Sequence, residues 1–318
     1  MLKFLTTRVL LSFITLLIIL AIVTLIPNVA PGDPARQIAG PTASVERLEA
    51  VRTSLGLDKS IPEQLADSFT SLFTLDFGAT FNNPSVTAGE LISGALWNSA
   101  KLVVFSLVIT LPISILGGVI AAYKKDSLLD RLIVNVGAAF SAIPDFVSGV
   151  ILLAVLAVPF SFFRVGANAP AGSGIFTQMR FLLLPALAVL LVYFGYIARV
   201  TRASTISALE SDFARTAFMK GLSTRQVFTQ HVLRNSLVPT VAVVGTQIGF
   251  LFGGLIGLEL IFNYPGLGRL ILTSVTDADY PVLRAGVITV ALIYMVATLV
   301  TDLLIAWMNP RARLALTE

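Results

Sequence analysis

The chain has 318 residues, of which 56% are hydrophobic and only 13% are charged, and its mean hydropathy is +0.87. Soluble domains carry about 25% charged residues, so this composition excludes an ordinary water-soluble fold and predicts an all-α polytopic membrane protein. The net charge of +4 comes from basic residues scattered between apolar runs, which argues against nucleic-acid binding.

Two residue counts exclude whole classes of site. The chain has no cysteine, which excludes disulfides, thiolate metal sites and cysteine nucleophiles. It has one histidine, His231, which excludes a metal cage built from several histidines. We therefore predict no metal site in this chain.

Apolar windows of membrane length are the main structural signal. A hydrocarbon core about 30 Å thick needs roughly 20 apolar residues per helix. The first window is longer than the ~7–15 apolar residues of a signal peptide and lacks a following Ala-x-Ala site, so we predict an uncleaved span. Asp145 is the only charged residue inside the third window, whereas Glu259 and Asp302 lie near the ends of the fifth and sixth. The six predicted transmembrane helices cover residues 9–29, 102–123, 132–162, 181–198, 237–262 and 285–308.

The distribution of Lys and Arg predicts the orientation. If the N-terminus is cytoplasmic, 13 of the 22 Lys and Arg residues fall on the cytoplasmic side, as the positive-inside rule requires. Both termini are then cytoplasmic. The predicted organisation is a tail with the first span (1–32), an external loop (33–101), a five-helix core (102–308) that includes a cytoplasmic loop (199–236), and a cytoplasmic tail (309–318).

The long external loop carries signals for two helices. Residues 45–55 and 62–72 have helical composition, with Gly56 suited to a C-cap and Pro62 to a first turn. We expect a small helical cap there.

The cytoplasmic loop predicts a helix, a glycine corner and a second helix. Residues 212–220 favour a short helix, and Gly221 can end it in the left-handed conformation. Ser223 and Gln226 have the spacing of a capping box, which would start a helix that stops before Pro239. The residues alone leave two interpretations open: a rigid knob that meets a partner, or a solvated connector without a special role.

This loop resembles the EAA-type loop of ABC importer permeases, in the form found in the dipeptide/oligopeptide branch. The resemblance is carried by Arg-Thr-Ala-x-x-x-Gly-Leu-Ser at 215–223 and continues through residues 231–239. It covers essentially the whole chain, although Arg215-Thr216-Ala217 replaces the generic Glu-Ala-Ala and Asp145 stands where that branch is usually apolar. Further motifs in the same order are Pro-Gly-Asp-Pro at 31–34, Leu-Gly-Leu-Asp-Lys at 55–59, Asp-Phe-Gly at 76–78, the stretch 259–268 and Asn-Pro-Arg-Ala-Arg at 309–313.

The resemblance implies a permease subunit, in the bacterial inner membrane, of an ATP-driven importer for di- or oligopeptides or similar small solutes. It implies four kinds of partner: a homologous second permease, two cytoplasmic ATPase subunits, an external solute-binding protein and the lipid bilayer. The ATPases would bind Mg-ATP, and this chain would be no enzyme. The residues expected to couple to the ATPases are Asp212, Arg215, Thr216, Ala217, Lys220, Gly221, Leu222 and Ser223.

The chain lacks the usual chemistry of nucleotide binding and catalysis. A phosphate cradle of the form Gly-x-x-x-x-Gly-Lys-[Ser/Thr] is absent from the sequence. A serine hydrolase would need a base in the membrane, whereas the one histidine lies in a predicted cytoplasmic helix. We predict no catalytic residue and no cofactor in this chain.

Two acidic residues are candidates for the translocation path. Ionisable groups in a membrane are costly and face a cavity or a partner. Asp145 either contacts the cationic amine of a solute or forms a structural hydrogen bond or interfacial contact. For Glu259, near the end of the fifth span, we expect a structural role in the turn that leads to Tyr264-Pro265-Gly266.

Glycines at four-residue intervals mark one face of the fifth span. Gly245, Gly249, Gly253 and Gly257 allow another helix backbone to approach closely. This stripe predicts a helix interface, either within the chain or with a second permease.

A rival function from another class is an ion-gradient-driven secondary transporter, or a channel subunit. Secondary transporters have discontinuous helices and acids at the membrane midplane, often with repeat symmetry between their halves. Asp145 is the only deep acid, and no such repeat is evident.

Overall fold

The computed structural model describes residues 2–29, 33–81 and 83–308, with side chains from residue 6 onward. Within these ranges the fold is helical, and the one strand-like pairing is an antiparallel bridge between Ala79 and Thr87. The helices are α1 (Leu2–Val29), α2 (Pro34–Ala39), α3 (Val45–Leu55), α4 (Ile61–Thr74), α5 (Ala88–Tyr123), α6 (Leu128–Ser141), α7 (Asp145–Leu152), α8 (Ile175–Leu209), α9 (Asp212–Met219), α10 (Thr224–Val227), α11 (Leu233–Ile261), α12 (Leu267–Thr276) and α13 (Tyr280–Met308).

Two π-helical turns interrupt the regular helices. Leu153–Ala157 continues α7, and Phe228–Val232 joins α10 to α11. The second turn makes one continuous helical path, Thr224–Ile261, from the cytoplasmic loop into the fifth span.

The third predicted span differs from the expectation of one helix. Among the described residues, five helices are long and apolar enough to cross a membrane, whereas α6 and α7 form a pair bent by 103°. The six predicted spans are present when this pair counts as one span. The bend falls directly before α7, where Pro144 lacks an N–H group and disfavours helical geometry for Ile143. In the second span, α5 begins at Ala88 and so extends into the stretch predicted as external loop.

The chain divides into two compact units. The first consists mainly of Ala100–Tyr264 and of α13 from Val296 onward. The second consists of Leu5–Ser99 and Pro265–Met295.

In the first unit, α8 crosses its neighbours at backbone contact. A side chain at Gly195 of α8 would overlap the backbone of Gly137 in α6, and one at Gly118 of α5 would overlap the backbone of Ala198 in α8. At the α6 crossing, the Ser141 hydroxyl donates a 2.7 Å hydrogen bond to the Val192 carbonyl. Small residues let helices associate in lipid through van der Waals contact, and these glycines do so here.

In the second unit, both helices predicted for the external loop are present. Gly56 ends α3 in the left-handed conformation with φ of 66°, and Ser60 and Glu63 form a capping box at the start of α4. The buried face of α4 carries Gln64, Ser68 and Leu72. Leu72 packs in one cluster with Leu16 and Leu20 of α1 and Ile288 of α13.

The α6–α8 crossing predicts that Gly195→Leu destabilises the chain by about 3 kcal/mol or more, because the added side chain overlaps backbone rather than a movable side chain. The measurement is the thermal aggregation midpoint of the detergent-purified protein. Gly94→Leu is the matched control, since Gly94 is an exposed helical glycine with open space around it. Equal midpoints for the two variants would contradict the crossing.

Candidate functional site

The cytoplasmic loop folds into the predicted helix, corner and helix. The helix α9 ends in two hydrogen bonds: Gly221 N–H to the Phe218 carbonyl at 2.9 Å, and Leu222 N–H to the Ala217 carbonyl at 3.3 Å. This pattern is a Schellman motif, and it requires the φ of +80° that Gly221 adopts. The Ser223 hydroxyl accepts from the Gln226 N–H to start α10. The corner is therefore fixed by its own backbone hydrogen bonds.

A small apolar core holds the corner together. Ala214 and Ala217 of α9 are buried in one cluster with Ala208, Val227 and Val232, and Leu222 packs against this cluster. The other predicted coupling residues, Asp212, Arg215, Thr216, Lys220, Gly221 and Ser223, are exposed.

Three large apolar side chains of α9 are exposed. Met219 is 80% exposed, Phe213 42% and Phe218 41%. At 3.6 residues per turn, Phe213 and Phe218 flank the buried alanines and Met219 lies opposite them, so apolar area available for docking surrounds the exposed part of this eight-residue helix. We call these three residues the corner surface. None of the three is among the predicted coupling residues, although their apolar type at positions flanking the buried alanines was the available signal.

Ionic contacts bind the turn between α5 and α6 to α8. The Arg202 guanidinium donates two hydrogen bonds to the Asp130 carboxylate, at 2.5 and 2.6 Å. The Asp130 side chain is only 4% exposed, and it also accepts from the Asp126 N–H at 2.9 Å. Lys125 and Glu210 form an exposed ion pair at 2.9 Å, and Glu210 raises the pKa of Lys125.

Further contacts connect the same region to the helix that follows the corner. The rings of Tyr123 and Phe228 meet edge to face, with centroids 5.1 Å apart. The Ser204 hydroxyl donates to the Ser236 carbonyl at 2.7 Å, which joins α8 to α11. The corner is thus connected to α5, α8 and α11 of the same unit.

The predicted path residue Asp145 lies at the bend in the third span. It is the first residue of α7, is half-buried, and accepts from the Phe146 N–H at 2.7 Å. Its other carboxylate oxygen faces Gly254 of α11, where an added Cβ would lie 3.3 Å away. Gly257 of α11 lies against Phe146 in the same way. Glycines therefore bring α11 up to α7.

The glycines of the predicted stripe face different surroundings. A side chain at Gly245 would overlap Thr301 of α13, so this glycine packs within the chain. Gly249 is buried, whereas Gly253 is exposed and has open space around it. Gly245 and Gly257 therefore contact other helices of the same chain, whereas a Cβ added at Gly253 would meet no other helix in the described part of the chain.

The predicted structural residue Glu259 is fully buried at the end of α11. Its carbonyl accepts from the Tyr264 N–H at 2.7 Å, which closes the turn after the span. Burial, and then the nearby Glu259 charge, raise the pKa of Tyr264, so this hydroxyl stays protonated at neutral pH.

Two sequence motifs of the resemblance fall outside the described residues: Pro31 and Gly32 of the first, and the Asn-Pro-Arg-Ala-Arg stretch at 309–313. In the part of the chain that the structure describes, no group of three or more His, Asp or Glu residues could hold a metal ion.

Known proteins match over nearly the whole length. The chain is 36% identical over 293 residues to the glutathione transport system permease protein GsiC of Escherichia coli, covering 91% of this chain and 92% of the relative. It is 31% identical over 289 residues to a probable peptide ABC transporter permease protein of Sinorhizobium fredii, with the same coverage of 91% and 92%. A crystal structure of an amino acid ABC transporter with histidines matches with a TM-score of 0.47 and 17% identity, over 70% of this chain and 94% of that one.

Two family models account for both parts of the sequence. Residues 1–115 match the N-terminal model of binding-protein-dependent transport system membrane components, and residues 114–314 match the inner membrane component model. The chain therefore belongs to the binding-protein-dependent transport system inner membrane components, as a multi-pass ABC transporter permease subunit.

Proposed function

We propose that this chain forms half of the translocation path of an ATP-driven importer for di- or oligopeptides or similar small solutes. The relatives named for peptide and for glutathione, itself a tripeptide, support this solute class. The proposed partners are a homologous permease, two cytoplasmic ATPase subunits and an external solute-binding protein. Mg-ATP is bound and hydrolysed by the ATPases, and this chain supplies no catalytic residue.

The observation that carries the proposal is the corner surface. Phe213, Phe218 and Met219 expose apolar area on α9, and the buried alanines of this helix pack in the apolar core of the corner. A rigid apolar knob of this kind suits a groove on an ATPase subunit. Arg215 and Lys220 are exposed beside it and supply a basic rim. We propose that the predicted coupling residues act as this docking element.

The same contacts suggest how movement of the corner reaches the membrane. Displacement of α9 is carried through the continuous path Thr224–Ile261 and through the ring contact of Tyr123 with Phe228. The Asp130–Arg202 pair then moves α6 together with α8. Because α6 ends at the bend, a small tilt of α6 changes the angle between α6 and α7.

The ion-gradient-driven transporter and the channel subunit are not favoured by the family assignment. An uptake assay separates them from the importer. Proteoliposomes that contain the complete complex, with ATP inside and the binding protein outside, should accumulate labelled dialanine. Collapse of ion gradients by ionophores should leave uptake unchanged. Uptake that needs a gradient but no ATP would contradict the proposal.

The corner geometry predicts that Gly221→Val uncouples transport. Valine at a φ of +80° is strained by about 1–2 kcal/mol, so the Schellman motif opens and the corner changes shape. We expect dialanine uptake to fall at least tenfold while membrane insertion persists. Gly172→Val is the control, because Gly172 also has a positive φ and open space but lies outside the cytoplasmic loop. Wild-type uptake and wild-type ATP turnover in Gly221→Val would exclude the corner as coupling element.

The corner surface predicts that Met219→Asp weakens ATPase binding. Met219 is 80% exposed, so aspartate should leave the fold intact and place a charge in the docked apolar contact. Co-purification of the ATPases at high salt should drop several-fold. Phe176→Asp, at a side chain that is 85% exposed outside the loop, should have no such effect. Equal recovery of ATPases from both variants would argue against docking at Met219.

The Asp130–Arg202 ion pair predicts that Asp130→Asn lowers the coupling of transport to ATP hydrolysis more than Lys125→Gln does. Loss of the Asp130 charge leaves the Arg202 guanidinium partly buried and unpaired, which costs roughly 3 kcal/mol. The exposed Lys125–Glu210 pair is screened by solvent, so its loss should have a much smaller effect. We expect fewer solutes moved per ATP in Asp130→Asn, measured as the ratio of uptake to phosphate release. The same ratio in both variants would remove the pair from the coupling path.

A further inference from the structure

The carboxylate of Asp145 stands at an unusual place in the membrane. The helix α6 has 14 residues, so Asp145 begins α7 about 21 Å along the span from Leu128. Asp145 lies near the middle of the predicted window 132–162, where an ionisable group is costly. In the described part of the chain, no Lys, Arg or His forms an ion pair with Asp145.

The surroundings of Asp145 leave room for a ligand. One oxygen accepts the Phe146 N–H, while the other faces Gly254, which has no side chain. Gly253, next to it, is exposed with open space around it. Tyr193 of α8 lies close enough for an electrostatic interaction with Asp145. We call Asp145, Ser148, Tyr193 and Gly254 the acidic notch.

A second polar group in the notch lacks a partner. The Ser148 side chain is 2% exposed, and its hydroxyl makes no hydrogen bond in the described structure. Ser148 follows Asp145 by three residues, so both lie on the same face of α7. A buried hydroxyl without a partner is costly, as is an acid without a counter-charge in a membrane. A small cationic group that donates hydrogen bonds would satisfy the Asp145 carboxylate, with the Ser148 hydroxyl one helical turn along the same face.

We propose that the acidic notch binds the ammonium group of the transported solute. An ammonium has three N–H donors and one positive charge, which match the carboxylate oxygen of Asp145 that faces Gly254. The glycines of α11 give the group access, because a side chain at Gly254 would meet the carboxylate. This inference rests on the proposed import of peptide-like solutes, and it adds that the chain itself favours solutes with a free amine.

The absence of cysteine from the chain permits a direct test of the notch. In the complete complex, the single-cysteine variant Gly254→Cys is labelled with a cationic ethylammonium or an anionic ethylsulfonate methanethiosulfonate, and the two rates are compared. Adding Asp145→Asn should lower the cation-to-anion ratio roughly fivefold or more, because a unit charge a few ångströms away is removed. Val150→Cys, on another face of α7, should change less than twofold. If Gly254→Cys does not assemble, Gly253→Cys replaces it as reporter.

An unchanged ratio in Asp145→Asn would overturn the proposal. So would a reporter that neither reagent reaches in the complex, with or without 10 mM dialanine, since a partner subunit would then fill the notch. Protection of the reporter by dialanine but not by N-acetyl-dialanine would support it. N-acetylation replaces the free ammonium of dialanine with a neutral amide.

Uptake gives an independent readout. Asp145→Asn should reduce uptake of dialanine at least tenfold more than uptake of N-acetyl-dialanine, and Asp145→Glu should restore the preference because the charge returns. Equal loss for both peptides would assign Asp145 a structural role and overturn the proposal. If the wild-type complex moves neither peptide, the proposed function fails, while the labelling ratio still decides whether the notch selects cations.

Discussion

Backbone contact between helices is the constraint on which the first unit depends. Gly195 meets Gly137, and Gly118 meets the backbone of Ala198, so α8 touches both α5 and α6 without intervening side chains. In lipid the hydrophobic effect does not drive helices together, so close van der Waals packing at such contacts stabilises their association. The position of α8 in turn fixes Arg202 beside Asp130 and brings Tyr193 within electrostatic range of Asp145.

The acidic residues at the two ends of α6 differ in their partners. At its start, Asp130 is buried and fully engaged by Arg202 and by the Asp126 N–H. Beyond its end, Asp145 has a backbone hydrogen bond and, among the described residues, no ion-pair partner. The paired acid stabilises a helix contact, whereas the unpaired acid has an oxygen available for binding. This difference underlies the two proposed roles, in coupling for Asp130 and in solute recognition for Asp145.

Local features were predictable because they depend on neighbours in the sequence. Apolar windows indicated the spans, and Gly56, Gly221 and the Ser223–Gln226 spacing indicated where helices end and begin. Each of these signals acts within one or two helical turns. The function class was accessible for a related reason, since motifs along nearly the whole chain matched a family pattern.

The sequence by itself determined the membrane class, the helix–corner–helix loop, the positions of the caps and the presence of an acid inside the third span. The tertiary structure alone decided that Gly245 packs on Thr301 while Gly253 stays open, and that Asp130 pairs with Arg202. It also decided which side of α9 exposes Phe213 and Met219. The physical reason is distance along the chain: caps act over a few residues, whereas a glycine's neighbour or an acid's partner lies on another helix.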